Sequence, residues 1–186
     1  GGGSMIWTDD GGMLRVGPQS AGADPGPACY GRGGQVPTLT DAHVIRNTVR
    51  PEAFLGGRMA IFSERSRAVF QPIADQLGMS LEDAADSAVQ LTNANVGRAI
   101  QLVSTERGFD PRDYVLVPFG GAGPLHAASV ASDLGIAQVV VPPSAGVISA
   151  YGLIASDFTQ FTSLTRRVRV DDSAPDIVRQ TYAGMA

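Results

Sequence analysis

The sequence predicts an α/β fold, and three features carry that expectation. Two short apolar runs, Tyr114–Phe119 and Ala137–Val141, have the composition of buried strands of the parallel kind. Between them the glycine turn Gly120-Gly121-Ala122-Gly123 leads into a helical stretch from Pro124 to Leu134 that Gly135 closes. Upstream, a long apolar repeat of helical period follows Ser80. A strand-turn-helix-strand unit connects right-handed and needs cover on both faces.

The remaining elements follow in chain order. Gly1-Gly2-Gly3-Ser4 has the composition of a flexible linker or of a glycine segment belonging to the fold. Met5-Ile6-Trp7 and Met13-Leu14-Arg15-Val16 read as two strands joined through Asp9-Asp10-Gly11-Gly12, since Asp-Gly between apolar residues is a hairpin signal. Residues 17 to 37 are rich in Gly and Pro without any period, and the polar and aromatic residues among them favour an ordered loop over a linker. Thr40 with Asp41 opens a short helix through Val44 and Ile45, and Ser63 caps a second that runs to Leu77 before Gly78. From Ser80 the apolar or small positions 81, 84, 85, 88, 91, 92, 96, 99, 100 and 103 mark one helix face as far as Gly108. Such a helix of about 28 residues would be about 42 Å long. Asn93, Asn95 and Arg98 lie within it and face either a cleft or solvent. After the α/β unit, Gly146 to Phe158 reads as a helix, Phe161 to Val170 as a strand and Asp176 to Tyr182 as a helix.

Composition excludes several function classes. The chain of 186 residues is 44% hydrophobic and 17% charged, which suits a domain with its own core. All 14 basic residues are arginine, so a Walker-type phosphate loop, which needs lysine, cannot be built. A net charge of -4 with scattered arginines offers no basic stripe for nucleic acid. No run of about 18 apolar residues suggests a membrane span, and the lone Cys29 fits a reducing, cytoplasmic setting. Cys29 has no base among its sequence neighbours, which argues against a nucleophile. One cysteine and the two histidines His43 and His126 match no zinc spacing, so no metal ligands are expected.

The stretch from Phe119 to Ala128 carries the most chemistry. Glycines between a buried strand and a helix N-terminus let backbone amides and the helix dipole approach a ligand without a Cβ in the way. A mononucleotide site, a dinucleotide site and plain strand-helix packing all remain open on pattern alone. The next strand ends in Val141-Pro142-Pro143, without the acidic residue a dinucleotide ribose would want. His126 reads as a helix histidine bonded to a carbonyl or water, with a general base as the alternative. His43 reads as a surface residue of its short helix. Asp24 and Asp41 stand beside turn segments where a ligand could reach, although turn bonding or capping competes for both.

Three blocks of sequence resemble the hydantoinase A / 5-oxoprolinase / acetone carboxylase β-subunit family. They are Arg15 to Gly34 with Pro37 to Ala42, Glu106 to Asp113 with Phe119 to Ala127, and Gly146 to Ala155. His43 departs from the asparagine usual after Thr40-Asp41-Ala42, and Asn47 to Arg50 is more polar than the family pattern. The resemblance implies a partial actin-like, ribonuclease H-like ATPase domain with a helical insertion, truncated at both ends. Residues 1–158 would be the C-terminal half of its nucleotide-binding core, 40–108 the insertion, and 159–186 the start of a following C-terminal domain. It also implies that Gly1 to Gly3 belong to the fold and that Gly120, Gly121, Ala122 and Gly123 bind the adenosine side of ATP, with Asp41 and Asp24 near the cleft. Catalytic residues cannot be named within the chain. The implied activity is ATP-dependent opening of a cyclic amide of the hydantoin or 5-oxoproline type, with Mg²⁺ neutralising phosphate charge. ATP-dependent activation of a ketone for carboxylation is the neighbouring possibility, and a non-catalytic nucleotide- or partner-binding module is the third. A hydantoinase B-like subunit or fused domain is the implied partner.

Overall fold

The computed structural model describes residues 1–185, and the chain divides after Tyr151 into two units. The first opens on an antiparallel hairpin. Strand β1 (Ser4–Thr8) pairs with β2 (Leu14–Ser20), with Ile6 opposite Val16 and Thr8 opposite Leu14. Asp9 builds the turn. Its carboxylate accepts from the amides of Gly11 at 3.1 Å and Met13 at 2.9 Å, and pairs with Arg15 at 2.7 Å.

Three helices cover one face of this hairpin. Helix α1 (Leu39–Ile45) is capped by Thr38 in a capping box with Asp41, so the cap stands before the expected Thr40. Helix α2 (Ser63–Leu77) closes on Gly78 in the left-handed conformation, and Ser63 is its first residue instead of its cap. Helix α3 (Leu81–Val103) starts from Ser80, whose hydroxyl accepts from Asp83 N at 3.1 Å. It stops short of Gly108 because Ser104 leaves helical geometry and Thr105–Arg107 tightens into a 3₁₀ turn. The core lies between these pieces, built from Ile6, Leu39, Ala42, Ile45, Phe70, Ala85, Ala88 and Val89. The alanines of α3 let it lie close against α1 and α2, and burial of a side chain such as Phe70 contributes about 1.5–3 kcal/mol.

Helix α4 (Gly123–Leu134) packs on α3 where Gly97 meets Leu134, and it closes on Gly135 as the sequence predicts. The two flanking runs differ from expectation. Tyr114–Phe119 and Ala137–Val141 meet in a single parallel bridge, Leu116 to Val139, held by Leu116 N to Gln138 O at 3.0 Å and Val140 N to Leu116 O at 2.9 Å. Their apolar flanks Val115, Val117, Phe119, Val140 and Val141 are exposed, because no other element of the unit lies over them. The next helix also shifts: Ala145–Val147 is a 3₁₀ turn and α5 is Ile148–Ala155. In the second unit α6 (Ala174–Ala183) forms, while Phe161 to Val170 has no regular structure. A lone strand without a paired neighbour has nothing to hold it.

The segment after β2 is an ordered loop. Pro27, Ala28 and Cys29 are buried, and Ala28–Tyr30 makes a 3₁₀ turn. Gly34 fits because a Cβ there would lie 2.3 Å from the carbonyl oxygen of Gly26. One side chain fastens this loop to the helices. The fully buried carboxylate of Asp41 accepts from Ala28 N at 3.2 Å, Cys29 N at 2.9 Å, Thr38 N at 3.0 Å, Thr38 Oγ1 at 2.7 Å and Ser66 Oγ at 2.7 Å. It therefore caps its own helix, caps the turn at Ala28 and reaches α2.

An Asp41→Asn variant keeps the shape but turns an N–H₂ toward donors that then have no acceptor. Urea unfolding followed by circular dichroism should give a loss of about 3 kcal/mol, as expected for orphaned buried donors. An unchanged unfolding midpoint would remove this carboxylate from its structural role.

Candidate functional site

Two glycine segments far apart in the sequence, Gly1 to Gly3 and the turn at Gly121 and Ala122, line one cavity of about 350 Å³ and meet in its wall, where a Cβ on Gly2 would lie 4.0 Å from the Cβ of Ala122. Tyr30, Thr40, His43 and Leu125 add to its walls, together with Phe54 and Leu55. The volume lies at the lower end of the range for small-molecule sites, roughly 300–1,000 Å³. Room for a nucleoside is present.

The first glycine segment is a packed part of the fold. The carbonyl of Gly2 accepts from both Thr40 N and Thr40 Oγ1 at 2.9 Å, and a Cβ on Gly2 would lie 2.5 Å from that hydroxyl. The second is a turn whose shape depends on Gly120 at φ +82°, its amide donating to Ala145 O at 2.8 Å. Among the described residues the amides of Gly121 and Ala122 meet no acceptor, and a Cβ on Gly121 would enter open space. Gly123 begins α4, and its free side rests on Pro118, away from the cavity. Of the four predicted residues, Gly121 and Ala122 reach the cavity directly.

Neither aspartate lines the cavity, which overturns the place near the cleft, while Asp41 takes the capping role that the sequence also offered. Asp41 is completely buried with both oxygens occupied by protein donors, so it is a structural hub with no capacity left for a ligand. Asp24 is exposed on the loop and does not line the cavity, although Gly22 does. Cys29 is buried beside Asp41, and burial first, then the carboxylate, pushes its thiol up to about 12. It stays protonated and is no nucleophile.

His43 is the largest correction. It is fully buried and lines the cavity, because all seven residues of α1 are buried between α2, α3 and the loop. Its Nε2 stands 3.4 Å from Nε2 of His126, and the two rings meet edge to face at 5.0 Å. The Nδ1 of His126 lies 2.7 Å from Asn93 Oδ1 on α3, so His126 bonds a side chain and not the expected carbonyl or water. With Oδ1 assigned as acceptor, His126 carries its proton on Nδ1, and its Nε2 accepts from the Nε2–H of His43. Burial above all lowers both histidines, His43 to about 4, so both rings are neutral at pH 7. Asn93 has either a cleft or solvent before it in the sequence, and no local signal joins it to His126 and His43 across three helices. Tyr30 and Thr40 also went unmarked.

The free amides and the open space at Gly121 thus border a cavity whose wall is mainly apolar, with Tyr30 and Thr40 as its polar side chains beside His43. For Mg²⁺, which nucleotide sites hold with one or two carboxylates beside the phosphates, the cavity lining offers no Asp or Glu. No helix among the described residues is long and apolar enough to cross a membrane.

The family model described as hydantoinase/oxoprolinase matches residues 1–161. The chain belongs to the hydantoinase/oxoprolinase family. It is 42% identical over 184 residues to the alpha subunit of caprolactamase from Pseudomonas jessenii, covering 98% of this chain and 26% of that one. The solved structure of the ATP-dependent caprolactamase from the same organism matches with a TM-score of 0.75 and 39% identity, covering 100% of this chain and 27% of that chain. A nucleotide-free acetone carboxylase structure matches with a TM-score of 0.78 and 34% identity, over 85% of this chain and 22% of that one. This family member thus has the mixed α/β, ATPase-like fold of its relatives, and it spans about a quarter of the length of the curated relatives it matches.

The buried histidine gives the family member a pH dependence. A His43 pKa lowered to about 4 in the fold, from 6.5, means that the unfolded chain takes up the proton first. Stability is therefore full above pH 6.5 and falls as pH drops toward 4, by about 3 kcal/mol from this residue. Urea midpoints measured between pH 7 and pH 4 should fall steeply, and less steeply in His43→Phe. Equal slopes in the two proteins would contradict the assignment.

Proposed function

We propose that this chain forms the adenosine-side wall of the nucleotide site in an ATP-dependent hydrolase of cyclic amides. The single observation that carries the reading is the cavity lined jointly by Gly1 to Gly3 and the turn Gly121-Ala122, with unpaired amides on the turn. Residues 1–158 would then be the C-terminal half of the nucleotide-binding core, with 159–186 opening the next domain.

The chain's residues bind and orient. Gly120, held at positive φ, bends the turn so that the amides of Gly121 and Ala122 face outward, and the N-terminus of α4 adds its dipole behind them. Thr40 donates to the Gly2 carbonyl and so fixes the first glycine segment in the cavity wall. When bound, ATP supplies the phosphoryl group that makes an unreactive amide or lactam carbonyl electrophilic. Asp41 acts at a distance, as the tie that keeps Thr40 and His43 in place through α1. Asp24 stands on the exposed loop, outside the cavity lining.

The closer identity is to the caprolactamase alpha subunit, at 42%, which favours a cyclic amide substrate. Ketone activation for carboxylation is the second reading, favoured by the match to acetone carboxylase at a TM-score of 0.78. In either case the partner is a second, hydantoinase B-like subunit or domain, in keeping with a relative that is itself one subunit of its enzyme. A cytoplasmic location follows from the use of ATP.

The test uses Gly121→Val in the intact protein. A valine side chain at this point enters open space, so folding should be unchanged within about 0.5 kcal/mol. ATP affinity by calorimetry should drop at least tenfold. Phosphate release stimulated by a lactam and not by a ketone decides between the two reactions, and unaltered ATP binding in the variant would overturn the site.

A further inference from the structure

One residue of the cavity wall is strained without being buried. Leu55 lies in the left-handed region at φ +49° and ψ +37°, and Gly56 and Gly57 continue the turn at φ +68° and +78°. Glycine adopts that conformation freely, whereas a bulky residue such as leucine is strained in it. The turn is pinned from one side, for the carbonyl of Leu55 accepts from the Arg58 amide at 3.4 Å and from Arg58 Nε at 3.0 Å. Strain of this kind gathers where a chain meets a ligand.

Packing inside the protein does not offset it, since Leu55 is 57% exposed and takes no part in the core. Its neighbour Phe54 is half-buried and stands beside Tyr30, with ring centroids 5.8 Å apart and planes tilted by 43°. Pro27, Tyr30, Val49, Phe54, Leu55 and Leu125 make up the apolar part of the cavity lining, which carries no charged side chain. Nothing there neutralises a phosphate, so an uncharged ring suits this part of the cavity. Such a ring, laid against Phe54 and Leu55, would take their exposed apolar surface out of water.

We propose that Leu55, held in its strained turn, and Phe54 are the contact for the face of the nucleobase, so that Leu55 serves binding and not folding. This rests on the nucleotide reading of the cavity. Apolar contact with the face of a base does not read its hydrogen-bonding edge. ADP and IDP are therefore expected to bind with similar affinity and to depend on Leu55 alike.

The experiment replaces Leu55 in the intact protein by residues that accept the left-handed turn but lack the apolar side chain, Leu55→Gly and Leu55→Asn. Their urea midpoints should stay level with that of the unaltered protein, because the strain goes as the side chain goes. Calorimetry should show ADP and IDP both weakened by about tenfold. In unaltered protein with ¹³C-labelled leucine methyl groups, bound ADP should give NOEs between the Leu55 methyls and the base protons H2 and H8. Should a variant lose stability as well as affinity, these NOEs decide, and their absence overturns the inference. A lower midpoint with unchanged ADP affinity makes Leu55 a structural residue, which overturns the inference and leaves the nucleotide reading standing. Weakened caprolactam binding with ADP unaffected gives this wall to an amide substrate and overturns it too. If ADP does not bind the unaltered protein, the nucleotide reading falls, and this inference with it.

Discussion

A single buried carboxylate organises the first unit. Asp41 has no cation beside it, yet it sits in the interior because five donors surround it and two helical N-termini point at it. The arrangement resolves a difficulty built into the sequence: a loop of glycine and proline has no ladder of its own to satisfy its amides. Ala28 and Cys29 give theirs to Asp41, and the loop becomes part of the core. Everything that lines the cavity from that side, Tyr30, Thr40 and His43 included, inherits its position from this anchor.

The cavity itself joins residues from opposite ends of the first unit. Gly2 touches Thr40 closely enough that no larger residue fits, and Ala122 approaches the same point from α4. Family membership says that the architecture is shared with ATP-dependent enzymes, and the geometry adds which groups are free to act and which are spent. The amides at Gly121 and Ala122 are free. The carboxylate of Asp41 is not.

Local signals were legible wherever the chain obeys a local rule. Asp9 with Gly11 and Gly12 announced the hairpin, Gly78 and Gly135 announced the helix ends, and Ser80 announced the start of α3. The turn at Gly120 to Gly123 was legible for the same reason. What failed depended on packing. His43 looks like a surface histidine in sequence, but α1 is too short to have an outer face once α2, α3 and the loop close around it. For Asp41 the sequence left capping and a place near the cleft side by side, and the fold decides for capping by bringing Ser66 and the loop amides to the same carboxylate. Tyr114–Phe119 and Ala137–Val141 have strand composition, yet strand character needs neighbours, and one bridge is all they share.

That thinly supported pair has a bearing on how the polypeptide behaves in a tube. Valines face water on either side of the Leu116–Val139 contact, and the backbone along its margins offers unmatched donors and acceptors. Sulfate and phosphate strengthen apolar association, so concentrated stocks in such salts would cluster through this margin, whereas mild guanidinium would disperse them. Handling conditions for the isolated chain thus follow from six exposed side chains more than from its acidic net charge: Val115, Val117, Phe119, Val139, Val140 and Val141.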